Sequence, residues 1–157
     1  MKLGVLGYIE NNGKILMLYR NKKKNDMHEG FWVAPGGHIE NNETPYQALK
    51  REIKEETGLN VKKASLKAIL TFPEDGDSPF GDLWYGFIFI VKEYSGTITD
   101  CEEGELSWVD KSEIINLPMW EGDKIFTPLV LEHSNQIYDI MLKYSNGKLV
   151  NHNIDKI

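Results

Sequence analysis

Cysteine is almost absent. The single thiol, Cys101, has no second cysteine to pair with, so no internal disulfide can hold this chain together. A chain stabilised by packing alone suits a reducing compartment, and a cytoplasmic location is the expectation. Long apolar runs are also missing. The longest extends only from Phe87 to Val91, whereas a membrane-spanning helix needs about 20 apolar residues. Met1 leads directly into a strand-like pattern with no basic stretch followed by an apolar one, so no secretory signal is expected. Positive charge is scarce: 18 Lys and Arg stand against 24 Asp and Glu, a net charge of −6. Stable nucleic-acid binding is therefore not expected, because it needs a basic face to neutralise phosphates. Internal repeats and low-complexity stretches are lacking as well.

What remains is a folded globular composition, 157 residues with 41% hydrophobic content, and a single domain over residues 1–157 is expected. Leu3 to Ile9 and Lys14 to Arg20 are strand-like, and the Asn12-Gly13 pair between them is a hairpin signal. Asn21 to Gly30 is polar and carries Lys22, Lys23 and Lys24, which suit either a solvated loop or a phosphate-facing patch. Phe31 to Gly37 is apolar and then turns at Gly36 and Gly37, where the backbone can come close to an ion or phosphate. Val61 to Phe72 and Leu83 to Tyr94 look like strands, with Pro73 to Asp82 between them as a polar loop able to act as a lid. Gly104 to Asp110 is a further short strand. A helix is expected from Pro128 to His133, and Ile137 to Tyr144 with Lys148 to Ile154 form a closing hairpin around Ser145-Asn146-Gly147.

The chemistry concentrates in the segment from Gly37 to Leu59. Thr44 is an N-cap, Pro45 fits the first helical position and Gln47 completes a capping box, while Gly58 can take the left-handed conformation that ends a helix. At 3.6 residues per turn, Glu52, Glu55 and Glu56 share one arc beside an apolar stripe of Tyr46, Leu49 and Ile53. Like charges at spacings of three and four repel. Their grouping therefore points to a hard divalent cation such as Mg²⁺, which takes carboxylate oxygens and completes its shell with water and substrate phosphates.

Gly37, Glu43, Arg51, Glu52, Ile53, Glu55, Glu56, Gly58 and Leu59 also fall at one particular spacing, whose chance occurrence in a chain of this length is on the order of one in a million or less. In these nine residues the chain resembles the Nudix hydrolases, whose signature they fill without a departure. The resemblance implies an α/β (α+β) Nudix fold, a mixed β-sheet sandwiched between helices. It also implies hydrolysis of nucleoside diphosphate derivatives with Mg²⁺, for which Mn²⁺ can substitute. Glu52, Glu55 and Glu56, with the Gly36 carbonyl, are the implied metal ligands. Arg51 is implied to orient a signature carboxylate, and Glu43 to have a structural role. Among the acidic residues ahead of Trp108, Glu103 is the expected ligand from outside the signature.

Over nearly the whole chain the resemblance is to the MutT-like branch, which acts on oxidised purine nucleoside triphosphates such as 8-oxo-dGTP and releases monophosphate and pyrophosphate. Lys23 is then the expected phosphate contact, and Trp120 and Asp123 are expected to hold the base. Two positions depart from that branch: Gly122 replaces an Asp, and Val33 replaces an Asn. Alternatives are another nucleoside diphosphate derivative (ADP-ribose, a dinucleoside polyphosphate or a capped RNA end) or a non-catalytic nucleotide-binding module. The expected partner is a small nucleotide, with no membrane, and the chain itself as a monomer or homodimer.

Overall fold

In the computed structural model, which describes residues 1–74 and 81–157, the chain is arranged around β1 (Lys2–Asn11). Both faces of β1 are covered, so its middle reads as an almost unbroken apolar run, as a strand buried on two sides should. It pairs in parallel with β6 (Trp84–Ser95), from Lys2 opposite Trp84 to Ile9 opposite Val91. Two antiparallel partners share its other edge. β4 (Gly36–His38) takes Gly4 to Leu6, and β2 (Lys14–Arg20) takes Glu10 and Asn11. The edge therefore splits, and residues 21–35 pass from one partner to the other. β2 also pairs with β3 (Trp32–Val33) and, along its whole length, with β7 (Gly104–Asp110). Beyond β6 follow β5 (Asn60–Phe72), β8 (Tyr138–Ser145) and β9 (Lys148–Lys156). Among the described residues this makes a mixed nine-stranded sheet, as expected.

Both expected hairpin turns place Asn and Gly in left-handed backbone: Asn12 and Gly13 at φ 51° and 77°, Asn146 and Gly147 at φ 51° and 78°. Two successive residues of positive φ match the twist of the flanking strands.

Helices cover the two faces. α1 (Pro45–Thr57) has the expected capping box on Thr44 and ends at Gly58, φ 82°. Its Leu49 and Ile53 join Val5, Ile9, Leu16 and Val91 in one core cluster. Gly7 brings this helix close to β1, since a Cβ there would lie 2.6 Å from Ile53 Cδ1 and 2.8 Å from Leu49 Cδ1. The opposite face packs Tyr8, Ile88, Ile90, Leu70 and Leu142 beneath α2 (Glu121–Val130) and a 3₁₀ segment, Lys111–Asn116.

The helix expected from Pro128 to His133 is a correction. α2 begins seven residues earlier and ends at Val130, with Pro128 inside its last turn. Pro is favoured at a first helical position, but here the start is marked by Glu121 and Asp123, acids that complement the N-terminal end of the dipole. Residues 75–80 of the loop expected to act as a lid lie outside the described residues. Among the described residues no helix is long and apolar enough to cross a membrane.

Candidate active site

α1 presents its acids to the corner where β4 leaves β1. Glu56 reaches back to β4, its Oε2 accepting a hydrogen bond from the Gly36 amide at 3.1 Å. Burial, and then the charge of Glu103, push its carboxyl up to about 8. Burial also raises Glu52, although the Arg51 guanidinium opposes the shift. A Cβ on Gly37 would lie 2.4 Å from the Glu52 carboxyl carbon. Glycine there is what lets the carboxylate lie against the β4 backbone. Gly36 is equally constrained, because a Cβ would fall 2.0 Å from the Val5 carbonyl oxygen.

Arg51 is the hub of the cluster. Its fork donates to both Glu43 oxygens, Nε to Oε2 at 2.7 Å and Nη2 to Oε1 at 2.9 Å. Nη1 donates to Glu52 at 2.7 Å and, more weakly, to Glu55 at 3.4 Å. Nη2 also donates to the His38 carbonyl at 2.9 Å. The guanidinium holds Glu43 down to about 2, and Glu43 in turn raises Arg51. Glu43 also accepts from the Glu40 amide at 2.8 Å, so it closes the turn before the helix. Glu55 is exposed.

This donor set is all oxygen, partly buried and mutually repulsive, and it fits a hard divalent cation. As they stand, no three acidic, histidine or cysteine groups among the described residues converge on one point, because Glu52 and Glu55 both lean on Arg51.

A further acid joins from the turn before β7. Glu103, just before β7, accepts from Arg20 Nη1 at 2.8 Å, and its charge is felt by Glu52 and Glu56. Arg20 Nε donates to Asp26 at 2.7 Å. Arg20 is thus the cation the fold brings to Glu103, while Lys23 stands fully exposed in the loop after β2. The lysine beside it, Lys22, donates to the Cys101 carbonyl at 3.1 Å.

On the other face of the sheet, the head of α2 borders a cluster of aromatic rings. Trp120 is the N-cap residue, and its Nε1 donates to His28 Nδ1 at 2.8 Å. Phe31 and Tyr144 meet its ring edge-on, with centroids 5.0 and 5.9 Å away. Val33, the other departure from the MutT-like pattern, lies in β3 and is partly buried. Asp123 lies in the first turn. Burial raises its carboxyl to about 7, and burial first, then the Asp123 charge, raises the phenols of Tyr8 and Tyr144. The Tyr8 hydroxyl is 2.9 Å from Thr127 Oγ1. Among the described residues no hydrogen bond reaches the Asp123 carboxyl.

Gly122, which replaces an Asp of the MutT-like pattern, donates its amide to Tyr144 Oη at 2.7 Å. A Cβ there would meet that oxygen at 2.7 Å and Leu142 Cδ1 at 2.8 Å. The tyrosine therefore takes the space of a second carboxyl. Gly86, in β6, has only Leu70 atoms near a built Cβ, at 3.7 and 3.9 Å. Arg20, His28, Tyr8 and Tyr144 carry no local sequence signal that would single them out.

An acidic helix end against a glycine corner, with a separate aromatic cluster beside one acid, is an arrangement suited to metal-assisted hydrolysis of phosphoric anhydrides. The NUDIX domain family matches residues 2–130, and the chain belongs to that family. It is a Nudix-type pyrophosphohydrolase, and such enzymes generally use divalent cations and small nucleotide substrates. An ADP-ribose pyrophosphatase of Methanocaldococcus jannaschii is 33% identical over 92% of this chain and 75% of its own. An oxidised purine nucleoside triphosphate hydrolase of Danio rerio is 27% identical over 99% and 96%. The crystal structure of the mutator MutT protein from Bacillus halodurans matches at TM-score 0.87 and 30% identity, covering 99% of this chain and 98% of that one.

Proposed function

We propose that this chain hydrolyses a purine nucleoside triphosphate, with an oxidised purine such as 8-oxo-dGTP as the preferred form, to the monophosphate and pyrophosphate. The observation that carries this is the Asp123 carboxyl. It lies partly buried at the head of α2 beside Trp120, and no hydrogen bond from the described residues reaches it. Burial disfavours its charged form, and a base edge that shares a hydrogen bond with the carboxyl would offset that cost. Trp120 provides the ring wall against which a planar base packs. The relatives named for oxidised purines and MutT support the same substrate class.

Glu52, Glu55, Glu56, the Gly36 carbonyl and Glu103 would hold Mg²⁺, or Mn²⁺ in its place. Such a cation polarises phosphate oxygens and lowers the pKa of an attacking water. Arg51 keeps Glu52 and Glu55 on one side of the helix. Glu56 and Glu52, both raised by burial, are the candidates to receive the water's proton. Lys23, exposed in the loop after β2, would meet the outer phosphates.

The ADP-ribose pyrophosphatase relative favours a second substrate, ADP-ribose. A panel of 8-oxo-dGTP, dGTP and ADP-ribose with Mg²⁺ separates the two. A kcat/KM for 8-oxo-dGTP at least roughly tenfold above the others, about 1.4 kcal/mol of discrimination, is expected. Preference for ADP-ribose overturns the proposal.

A further inference from the structure

A line of polar contacts runs from the acidic cluster to the aromatic cluster around Trp120. Glu103 accepts from Arg20 at 2.8 Å, and Arg20 donates to Asp26 Oδ2 at 2.7 Å. Asp26 Oδ1 accepts the His28 amide at 3.2 Å, and His28 Nδ1 accepts from Trp120 Nε1 at 2.8 Å. The last contact decides a tautomer. An indole nitrogen is only a donor, so Nδ1 of His28 must be bare and the imidazole proton must sit on Nε2. Three backbone hydrogen bonds fix the loop that carries His28: Glu29 N to Asp26 O at 3.0 Å, Phe31 N to His28 O at 2.9 Å, and Gly30 N to Arg20 O at 2.8 Å. The same loop thus delivers both the acceptor for the Trp120 edge and the Phe31 ring against it.

We propose that His28 is a positioning residue for substrate recognition: through its Nδ1 it sets the plane of Trp120, and Arg20 and Asp26 hold it there. Trp120 has no side-chain cap bond to α2, and His28 anchors its indole N–H to the loop before β3. An indole turned off this plane would no longer present the same ring face to a base, so the cost falls on binding of the base and not on the phosphoryl chemistry at the glutamates. The inference rests on the assignment of Trp120 to the base.

The test compares His28→Leu, His28→Asn, Trp120→Ala and the double variant His28→Leu/Trp120→Ala, with 8-oxo-dGTP and Mg²⁺. Asn keeps an acceptor near the Nδ1 position and Leu does not. For His28→Leu, KM is expected to rise roughly fivefold to tenfold, the worth of one hydrogen bond, with kcat nearly unchanged. His28→Asn is expected to restore most of the loss, and adding His28→Leu to Trp120→Ala to cost nothing further. The indole N–H resonance of Trp120 should move upfield in the Leu variant and stay in place in the Asn variant, which reads the contact independently of activity. If Trp120→Ala raises KM while His28→Leu does not, or if the two losses add in the double variant, the role of His28 is overturned and the base assignment stands. If Trp120→Ala leaves KM unchanged, the base assignment itself falls.

Discussion

Asp123→Asn separates the electrostatic cost of burying this carboxylate from everything else in the fold. The ordinary value of an aspartate is 3.8, and burial holds Asp123 up to about 7. The unfolded chain gives up this proton above about 3.8 and the folded chain only above about 7. The unfolded state thus binds fewer protons in between, and stability falls as pH rises through that window, then levels off. At pH 8 the gap of about three units, at about 1.4 kcal/mol per unit, amounts to at most about 4 kcal/mol. At pH 5 only a little over one unit is in play, about 2 kcal/mol. Asparagine is neutral at both. Its advantage over the wild type should therefore grow by about 2.5 kcal/mol between pH 5 and pH 8, or about 5–10 °C in Tm for a chain of this size. Other titrating groups are common to both proteins and cancel in the comparison. Thermal unfolding of the pair at the two pH values measures the difference directly. An equal difference at both, or one that shrinks toward pH 8, would refute a carboxyl held up by burial.

Glu56→Gln and Glu55→Gln should each lower kcat on the order of a hundredfold or more with Tm nearly unchanged, and near-normal turnover in both would remove the assigned chemistry. Gly122→Asp, which restores the acid of the MutT-like pattern, drives a side chain into Tyr144 Oη and Leu142. A loss of about 2–4 kcal/mol is expected, read by urea unfolding and partly relieved by adding Leu142→Ala. Treatment with EDTA should abolish turnover and leave the unfolding midpoint almost where it was, because Arg51 already neutralises Glu43 and Glu52; a large drop in Tm would contradict that balance.

The parts of the fold that could be read in the sequence are those with local causes. The Asn12-Gly13 and Asn146-Gly147 turns, the Thr44 cap, the Gly58 stop and the acidic arc of α1 each depend on residues a few positions apart. α2 was displaced because Pro128 resembles a helix start, whereas Glu121 and Asp123 supply the actual one. The remaining site geometry depends on distant pairs. Arg20 meets Glu103 across 83 positions, His28 meets Trp120 across 92 and Tyr8 meets Thr127 across 119. No local pattern encodes such pairs, since they exist only once β2, β7 and α2 are assembled. Likewise Gly122 looks like the loss of a carboxyl until the Tyr144 hydroxyl is found in its place.

Arg51 stands as a resident counter-ion for the helix that carries the proposed metal ligands, in contact with both Glu52 and Glu55. A site of this kind would be stable while empty and would not be a folding template that collapses without its ion. An ion taken up by these acids would have to displace the guanidinium from them, which would weaken its grip and ease its release. Its occupancy would then follow the arrival and departure of a polyphosphate that brings its own negative charge.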